Sequence, residues 1–178
     1  IKAGAAGILY DKNNFDWKKE WEIPHLGIDE LKKRLPEIAG NFYGSPSNDL
    51  RLVGITGTNG KTTSVQWLSS CLNQLGKKTG FIGTTGYGDS TNINPTKNTT
   101  PDILTTQKIL RDFKEQSTSH IAMEVSSHAI DQGRIDSLKF DIKLLTNITR
   151  DHLDYHGNIQ NYIECKSNFL LNAESGDC

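Results

Sequence analysis

Residues 57–63 read Gly57-Thr58-Asn59-Gly60-Lys61-Thr62-Thr63, with two glycines, a lysine and neighbouring hydroxyls inside seven positions. That combination handles phosphate. Glycine lets backbone amides approach a ligand closely. A helix opening here presents free N–H groups and a partial positive charge to an anion. Lys61 then reaches the β- and γ-phosphates, and the Thr62 hydroxyl meets Mg²⁺. The generic phosphate-loop pattern also wants a glycine at position 55. Ile55 stands there, and Gly54 comes one residue too early. The core of the loop is intact, but the general pattern is not met.

Other polar clusters follow apolar runs. Glu124 lies near the end of the run from His120 to Val125, before Ser126-Ser127-His128; a carboxylate beside a phosphate loop suits Mg²⁺, which takes hard oxygen ligands, or it is an edge carboxylate hydrogen-bonded to nearby backbone. His152 lies in Arg150-Asp151-His152-Leu153-Asp154-Tyr155-His156-Gly157 and reads as a metal ligand, a phosphate contact or a solvated residue. His128 and His156 read as structural hydrogen-bonders. Lys166 shares a helical face with Tyr162 and Leu170. A lysine there either snorkels outward or is buried as a neutral amine. A neutral amine can take up CO₂ as a carbamate and so hold a metal.

These groups need elements to position them. Leu52, Val53 and Ile55 form a buried strand before the loop. The following helix places Val65, Leu68, Cys71, Leu72 and Leu75 on one face, with Cys71 a packed thiol, and Gly76 closes it. Thr79–Thr85 is a second strand, and 86–97 a long polar loop. Thr100 reads as the cap of a helix that has Pro101 in first position and runs to about Gln116. A third strand ends at Val125, and a short helix leads toward Arg134. A fourth strand spans Phe140 to Ile148, and Asn158 caps a last helix. Alternating strands and helices predict an α/β domain with a mostly parallel sheet. Ligands of such sheets bind beyond the strands' carboxyl ends, where the three polar clusters fall.

Upstream, Ala3 to Gly7 reads as a helix end feeding a strand at Ile8-Leu9-Tyr10, and Ile23 to Ile28 as an extended edge or connector containing Pro24. Asp29 reads as the cap of a helix through Leu31, Leu35, Ile38 and Ala39, disturbed by Pro36. Asn41 to Asn48 has the punctuation of a linker. The expected division is 1–48, the C-terminal part of a smaller α/β domain, and 49–178, an incomplete phosphate-loop domain. With 20 basic and 21 acidic residues the net charge is −1, which argues against nucleic acid as a partner. No apolar run spans a membrane. Cys71, Cys165 and Cys178 are too few and scattered for a zinc cluster or disulfide framework, and a reducing, cytoplasmic setting is expected.

Taken together, these motifs resemble the Mur ligase family, in the branch that adds the third peptide residue in peptidoglycan synthesis. The resemblance rests on the 57–63 loop, Asn98-Thr99-Thr100, Met123 to His128 with Gln132 and Arg134, Thr146-Asn147 leading to Arg150–Gly157, and Tyr162 with Lys166. It covers nearly the whole chain, and the family's loop also lacks the early glycine. It implies an ATP-dependent amide-bond ligase in which ATP phosphorylates a carboxylate of UDP-MurNAc-L-Ala-D-Glu and an amino acid, diaminopimelate or lysine, displaces the phosphate. By the same resemblance Gly57, Thr58, Asn59, Gly60, Lys61, Thr62 and Thr63 bind ATP. Lys61, Glu124, His152 and Lys166 are catalytic. Thr62 and Glu124 serve one Mg²⁺, and His152 with carbamylated Lys166 a second. Asn98, Thr99, Thr100, Ser126, Gln132 and Arg134 contact the UDP substrate. Against the family the chain is expected to be a piece of a longer monomeric protein, inactive alone, that lacks the amino-acid-selecting domain. A folylpolyglutamate synthase-like ligase and a non-catalytic nucleotide-binding module are the alternatives; the Ser126–Arg134 and 98–100 clusters argue against the first.

Overall fold

The computed structural model describes residues 4–89 and 91–171. The chain begins with two short parallel strands, β1 (Ile8–Asp11) and β2 (His25–Ile28), which form a sheet of their own. Residues 4–7 are not helical, and the remainder of the helix end expected there lies outside the described residues, as does Cys178. Helix α1 (Leu31–Tyr43) runs through Pro36 without stopping and ends at Gly44. Its cap position is Glu30 in left-handed backbone, not Asp29, and no side chain caps it. The helix therefore occupies part of the stretch whose punctuation read as a linker; only a 3₁₀ turn, Pro46–Asn48, lies between it and the strand that begins at Arg51.

The second sheet has the order β6-β5-β4-β7-β3-β8. Its strands are β3 (Arg51–Thr56), β4 (Thr79–Gly83), β5 (Gly86–Gly88), β6 (Ile93–Asn94), β7 (His120–Glu124) and β8 (Ile142–Leu145). β4, β7, β3 and β8 run parallel, while β5 and β6 are added antiparallel. The expected 86–97 loop is thus a pair of short strands extending the sheet edge. The fourth strand is shorter than its apolar pattern suggested and forms the opposite edge, with Leu144 and Leu145 exposed.

Strand residues alternate between two cores, as a sheet covered on both faces requires. Val53, Ile55, Phe81 and Ala122 pack with Val65 of α2 (Lys61–Gln74). Leu52, Ile82, Ile121 and Met123 pack with Leu110 and Phe113 of α3 (Ile103–Glu115) and with Phe169 of α6 (Ile159–Leu171). The inner face of α2 is Val65, Leu68, Ser69 and Leu72, whereas Cys71 and Leu75 are exposed with Trp67 on the outer face. Cys71 is therefore not a packed thiol. Gly76 does close the helix, in left-handed backbone with φ 75°. Among the described residues no helix is long and apolar enough to cross a membrane.

Candidate active site at the carboxyl edge of the parallel strands

β3 delivers the chain into the 57–60 loop, and Gly60, with φ 84°, precedes α2. Gly57, with φ 141°, is fixed by crowding as well as by its backbone: a Cβ there would lie 2.0 Å from Thr146 Oγ1. The segment after β8 holds the loop in place. Thr58 N–H donates to the Asn147 carbonyl at 2.9 Å, Asn59 N–H to Asn147 Oδ1 at 3.1 Å, and Asn147 Nδ2 to the Asn59 carbonyl at 3.0 Å. Tyr162 of α6 reaches the Thr58 hydroxyl at 3.0 Å.

Loop, strand ends and helix starts enclose a cavity of 440 Å³. Its lining includes the loop residues Gly57 to Thr62, then Asn98, Thr99, Thr100, Glu124, Ser126, His128, Arg134, His152 and Lys166. Of the expected site residues, Thr63 and Gln132 are absent from the lining. Thr63 is exposed on α2, and the Gln132 side chain accepts from Arg134 Nε at 3.0 Å.

At the end lined by the 57–62 loop, Lys61 Nζ donates to the carbonyls of Gly57 at 2.7 Å and Thr58 at 2.9 Å. Burial lowers its pKa, opposed by Glu124 and Asp151. Glu124 is 1% exposed. Its Oε2 accepts the Thr62 hydroxyl at 3.0 Å and its Oε1 accepts the Thr84 N–H at 2.8 Å. It lies so close to the end of β4 that a Cβ on Gly83 would be 2.2 Å from Oε1. A buried carboxylate and a hydroxyl converging on a polar cavity fit Mg²⁺, a hard cation that keeps several ligands from its nucleotide. Among the described residues no three His, Cys, Asp or Glu side chains gather in a group that could hold a metal ion.

At the opposite end, Asp102 caps α3 through the Thr105 N–H at 3.0 Å, so Thr100 is not the cap that sequence suggested. The Thr100 hydroxyl is spent elsewhere: it donates to the Glu124 carbonyl at 2.8 Å and accepts the Ser126 N–H at 3.0 Å. Ser126 caps α4 (Ser127–Asp131). Arg134 donates through Nε and Nη2 to Gln132 Oε1 and through Nη1 to the Thr100 carbonyl. One N–H on each terminal nitrogen remains for an anion.

Lys166 is 1% exposed, so it does not snorkel. Its Nζ donates to Thr56 Oγ1 and to the Gly57 carbonyl, both at 3.1 Å. Burial, reinforced by the nearby Lys61 cation, lowers its pKa to about 8. His152 precedes α5 (Leu153–His156) in left-handed backbone, with φ 52°. Its ring lies edge-on to that of His128, with centroids 5.0 Å apart. His128 also packs on Tyr155 at 4.1 Å. Burial, then the neighbouring histidines and Arg134, lower the His128 pKa. The ring of His156 packs on Tyr162, and its buried Nε2 has no hydrogen-bond partner, so the expected structural bond is not made there.

Residues missed by the sequence reading are Thr56, which holds Lys166, and Thr84, which holds Glu124. The only available signal was their place at strand carboxyl ends.

The model of the Mur ligase middle domain matches residues 55–178. The chain is 44% identical over 171 residues to the UDP-N-acetylmuramoyl-L-alanyl-D-glutamate--2,6-diaminopimelate ligase of Nitrosomonas europaea, covering 96% of this chain and 33% of that protein. A solved structure of a UDP-N-acetylmuramoyl-L-alanyl-D-glutamate--2,6-diaminopimelate ligase superposes with TM-score 0.72 at 30% identity, over 86% of this chain and 31% of that one. MurF from Acinetobacter baumannii shares the fold, with TM-score 0.61 at 18% identity over 92% of this chain and 32% of that one. The chain spans about a third of the length of the curated relatives it matches. With a matching family model over most of its length and a sheet that gathers the loop, the carboxylate and the buried lysine into one cavity, the chain belongs to the Mur ligase family.

Proposed function

We propose that the protein carrying this chain is an ATP-dependent ligase that joins the third amino acid to UDP-MurNAc-L-Ala-D-Glu in peptidoglycan synthesis. The observation that carries this reading is the shared cavity: Lys61 and Thr62 at one end, Arg134, Thr99, Thr100 and Ser126 at the other, Glu124 between. A phosphoryl group leaving ATP can therefore meet a carboxylate held by the second set without crossing solvent. The curated relatives are 2,6-diaminopimelate ligases, which favours diaminopimelate over lysine. Residues 1–48 belong to a UDP-substrate domain and 49–178 to the central ATP domain. In this reading the working protein is a cytoplasmic monomer.

In this mechanism the loop residues Gly57 to Thr63 and the amides of α2 hold the nucleotide phosphates. The Lys61 ammonium follows the charge that builds on the transferring phosphoryl group. Thr62 and Glu124 would supply oxygens for one Mg²⁺; a ring nitrogen of His152 and the oxygens of a carbamylated Lys166 would hold a second. Bound Mg²⁺ neutralises phosphoryl charge and polarises the group for attack. Arg134 offers its two remaining N–H groups to a carboxylate or phosphate of the UDP substrate. Gln132 fixes the guanidinium plane, and Asn98, Thr99, Thr100 and Ser126 orient the rest.

Lys166 works as a carbamate in this reading. Its neutral amine attacks CO₂, the N–C bond forms, and a proton leaves to solvent. The product is an anion with two oxygens, whereas a bare ammonium would repel a cation. The burial of Lys166 and its lowered pKa support this, because only the neutral amine reacts.

The test is Lys61→Ala in the full-length protein. Ligation should fall by at least about 100-fold, the scale on which one group stabilising transition-state charge acts. Near-normal turnover would remove Lys61 from the reaction.

A further inference from the structure

Thr84 follows β4 and lines the cavity between its two ends. Its backbone N–H donates to Glu124 Oε1 at 2.8 Å. Its hydroxyl oxygen lies 3.3 Å from Glu124 Oε2 and 3.0 Å from Thr99 Oγ1. Glu124 Oε2 also takes the Thr62 hydroxyl at 3.0 Å. A continuous polar chain, Thr62–Glu124–Thr84–Thr99, thus joins the start of α2 to the segment before α3. A second tie runs beside it: the Thr96 hydroxyl reaches the carbonyls of Gly83 at 3.2 Å and Asn98 at 3.0 Å.

The hydroxyl protons of this chain can run in either of two directions, and only one of them leaves a proton for the cavity. Thr84 has one hydroxyl proton, and an ionised carboxylate only accepts. If Thr84 donates to Glu124, its oxygen is left to accept from Thr99, and the Thr99 proton is used inside the protein. If Thr84 donates to Thr99, the Thr99 proton is free for an acceptor in the cavity. A cation held by Glu124 Oε2 weakens that oxygen as an acceptor, so it favours the second arrangement. A substrate oxygen that accepts from Thr99 favours the same arrangement. Two ligands that select the same internal state tighten one another's binding.

We propose that Thr84 is a positioning residue that couples the nucleotide–cation end of the cavity to the UDP-substrate end by switching its single hydroxyl proton between Glu124 and Thr99. The inference rests on the ligase reading and adds a regulation of its site. One neutral hydrogen bond gained or lost corresponds to a mutual tightening of about 2- to 10-fold.

The test uses the full-length protein and isothermal titration of UDP-MurNAc-L-Ala-D-Glu, with and without saturating MgCl₂ plus a non-hydrolysable ATP analogue. In the wild type the nucleotide should tighten the UDP substrate by that factor. Thr84→Val keeps the backbone bond to Glu124 and the side-chain shape but has no hydroxyl, so the ratio of the two dissociation constants should fall to about 1. Thr84→Ser restores the hydroxyl and should restore the ratio. Thr99→Val gives an independent check: it should abolish the coupling as well, and the double variant should lose nothing further. Coupling retained in either valine variant, or absent from a wild-type protein that binds both ligands, overturns the inference. A wild-type protein that binds neither ligand and ligates nothing overturns the ligase reading itself, which separates the two failures.

Discussion

Lys166 is the residue whose chemistry depends most on its surroundings. Its pKa of about 8 against an ordinary 10.5 means that burial penalises the protonated form. Stability then depends on pH with a definite sign. Below pH 8 both folded and unfolded chains hold the proton, and the full penalty applies. Between about 8 and 10.5 the unfolded chain binds more protons, so stability rises with pH. In CO₂-free buffer, thermal or urea unfolding of the wild type should show this rise, on the order of a few kcal/mol, and Lys166→Met should flatten it. Reaction with CO₂ needs the neutral amine, so carbamate formation should increase from pH 7 to 9. In the full-length protein, stripping CO₂ should lower ligation, Lys166→Ala should nearly abolish it, and a small added carboxylic acid should restore part of it. Activity indifferent to CO₂, together with a bare amine at high resolution, would leave Lys166 as a buried structural cation on Thr56 and Gly57. Sequence left burial and snorkelling open because periodicity names a face but not what covers it.

At the scale of elements, the order strand, glycine loop, helix was legible because β-branched runs and glycines act locally. The capping of α3 was not: Thr100 has the right residue type, but tertiary bonds to Glu124 and Ser126 take its hydroxyl and leave the cap to Asp102. The exposed face of α2 was misread for a related reason. Trp67, Cys71 and Leu75 form an apolar stripe as regular as the buried one, and only the position of the sheet decides between them. Strand partners were likewise invisible, as Asp141 illustrates. It enters β8 beside β3, where Oδ2 accepts the Leu52 N–H at 2.8 Å and Oδ1 the Arg51 guanidinium at 2.6 Å. Burial alone would raise its pKa, but the Leu52 and Arg51 bonds outweigh burial and hold it below the ordinary carboxylate value. The stability it contributes is present above that ordinary value, about 4, and is lost as pH falls through the lowered one. Asp141→Asn should cost about 1–3 kcal/mol at pH 7, and denaturant curves of the variant should depend less on pH between about 5 and 2. Equal acid sensitivity in both proteins would assign the acid transition to other carboxylates.

On the scale of the whole molecule, the site is assembled from segments that the sequence keeps far apart. The 57–60 loop, the 98–100 segment, the end of β7, the residues after β8 and α6 all meet at one edge of the sheet, because parallel strands place their carboxyl ends together. Strand order carries this arrangement, and contacts between segments keep it tight. Asn147 gives the clearest case, since its side chain both accepts from and donates to the Asn59 backbone 88 residues earlier. Those two bonds orient the peptides on both sides of Asn59, just before Gly60, whose neighbouring amides face the phosphates in the ligase reading. Asn147→Ala keeps the backbone bond from Thr58 and removes both side-chain bonds. Stability should fall by about 1–2 kcal/mol, as expected for two bonds that water partly replaces. If the loop is shaped by this clamp, a non-hydrolysable ATP analogue should bind the full-length variant roughly tenfold more weakly. The UDP substrate, which in the ligase reading meets the opposite end of the cavity, should bind about as before when tested alone. A variant that melts earlier yet binds the analogue with unchanged affinity would show that Asn147 secures the fold and that the loop keeps its shape through Gly57 and Thr146 instead.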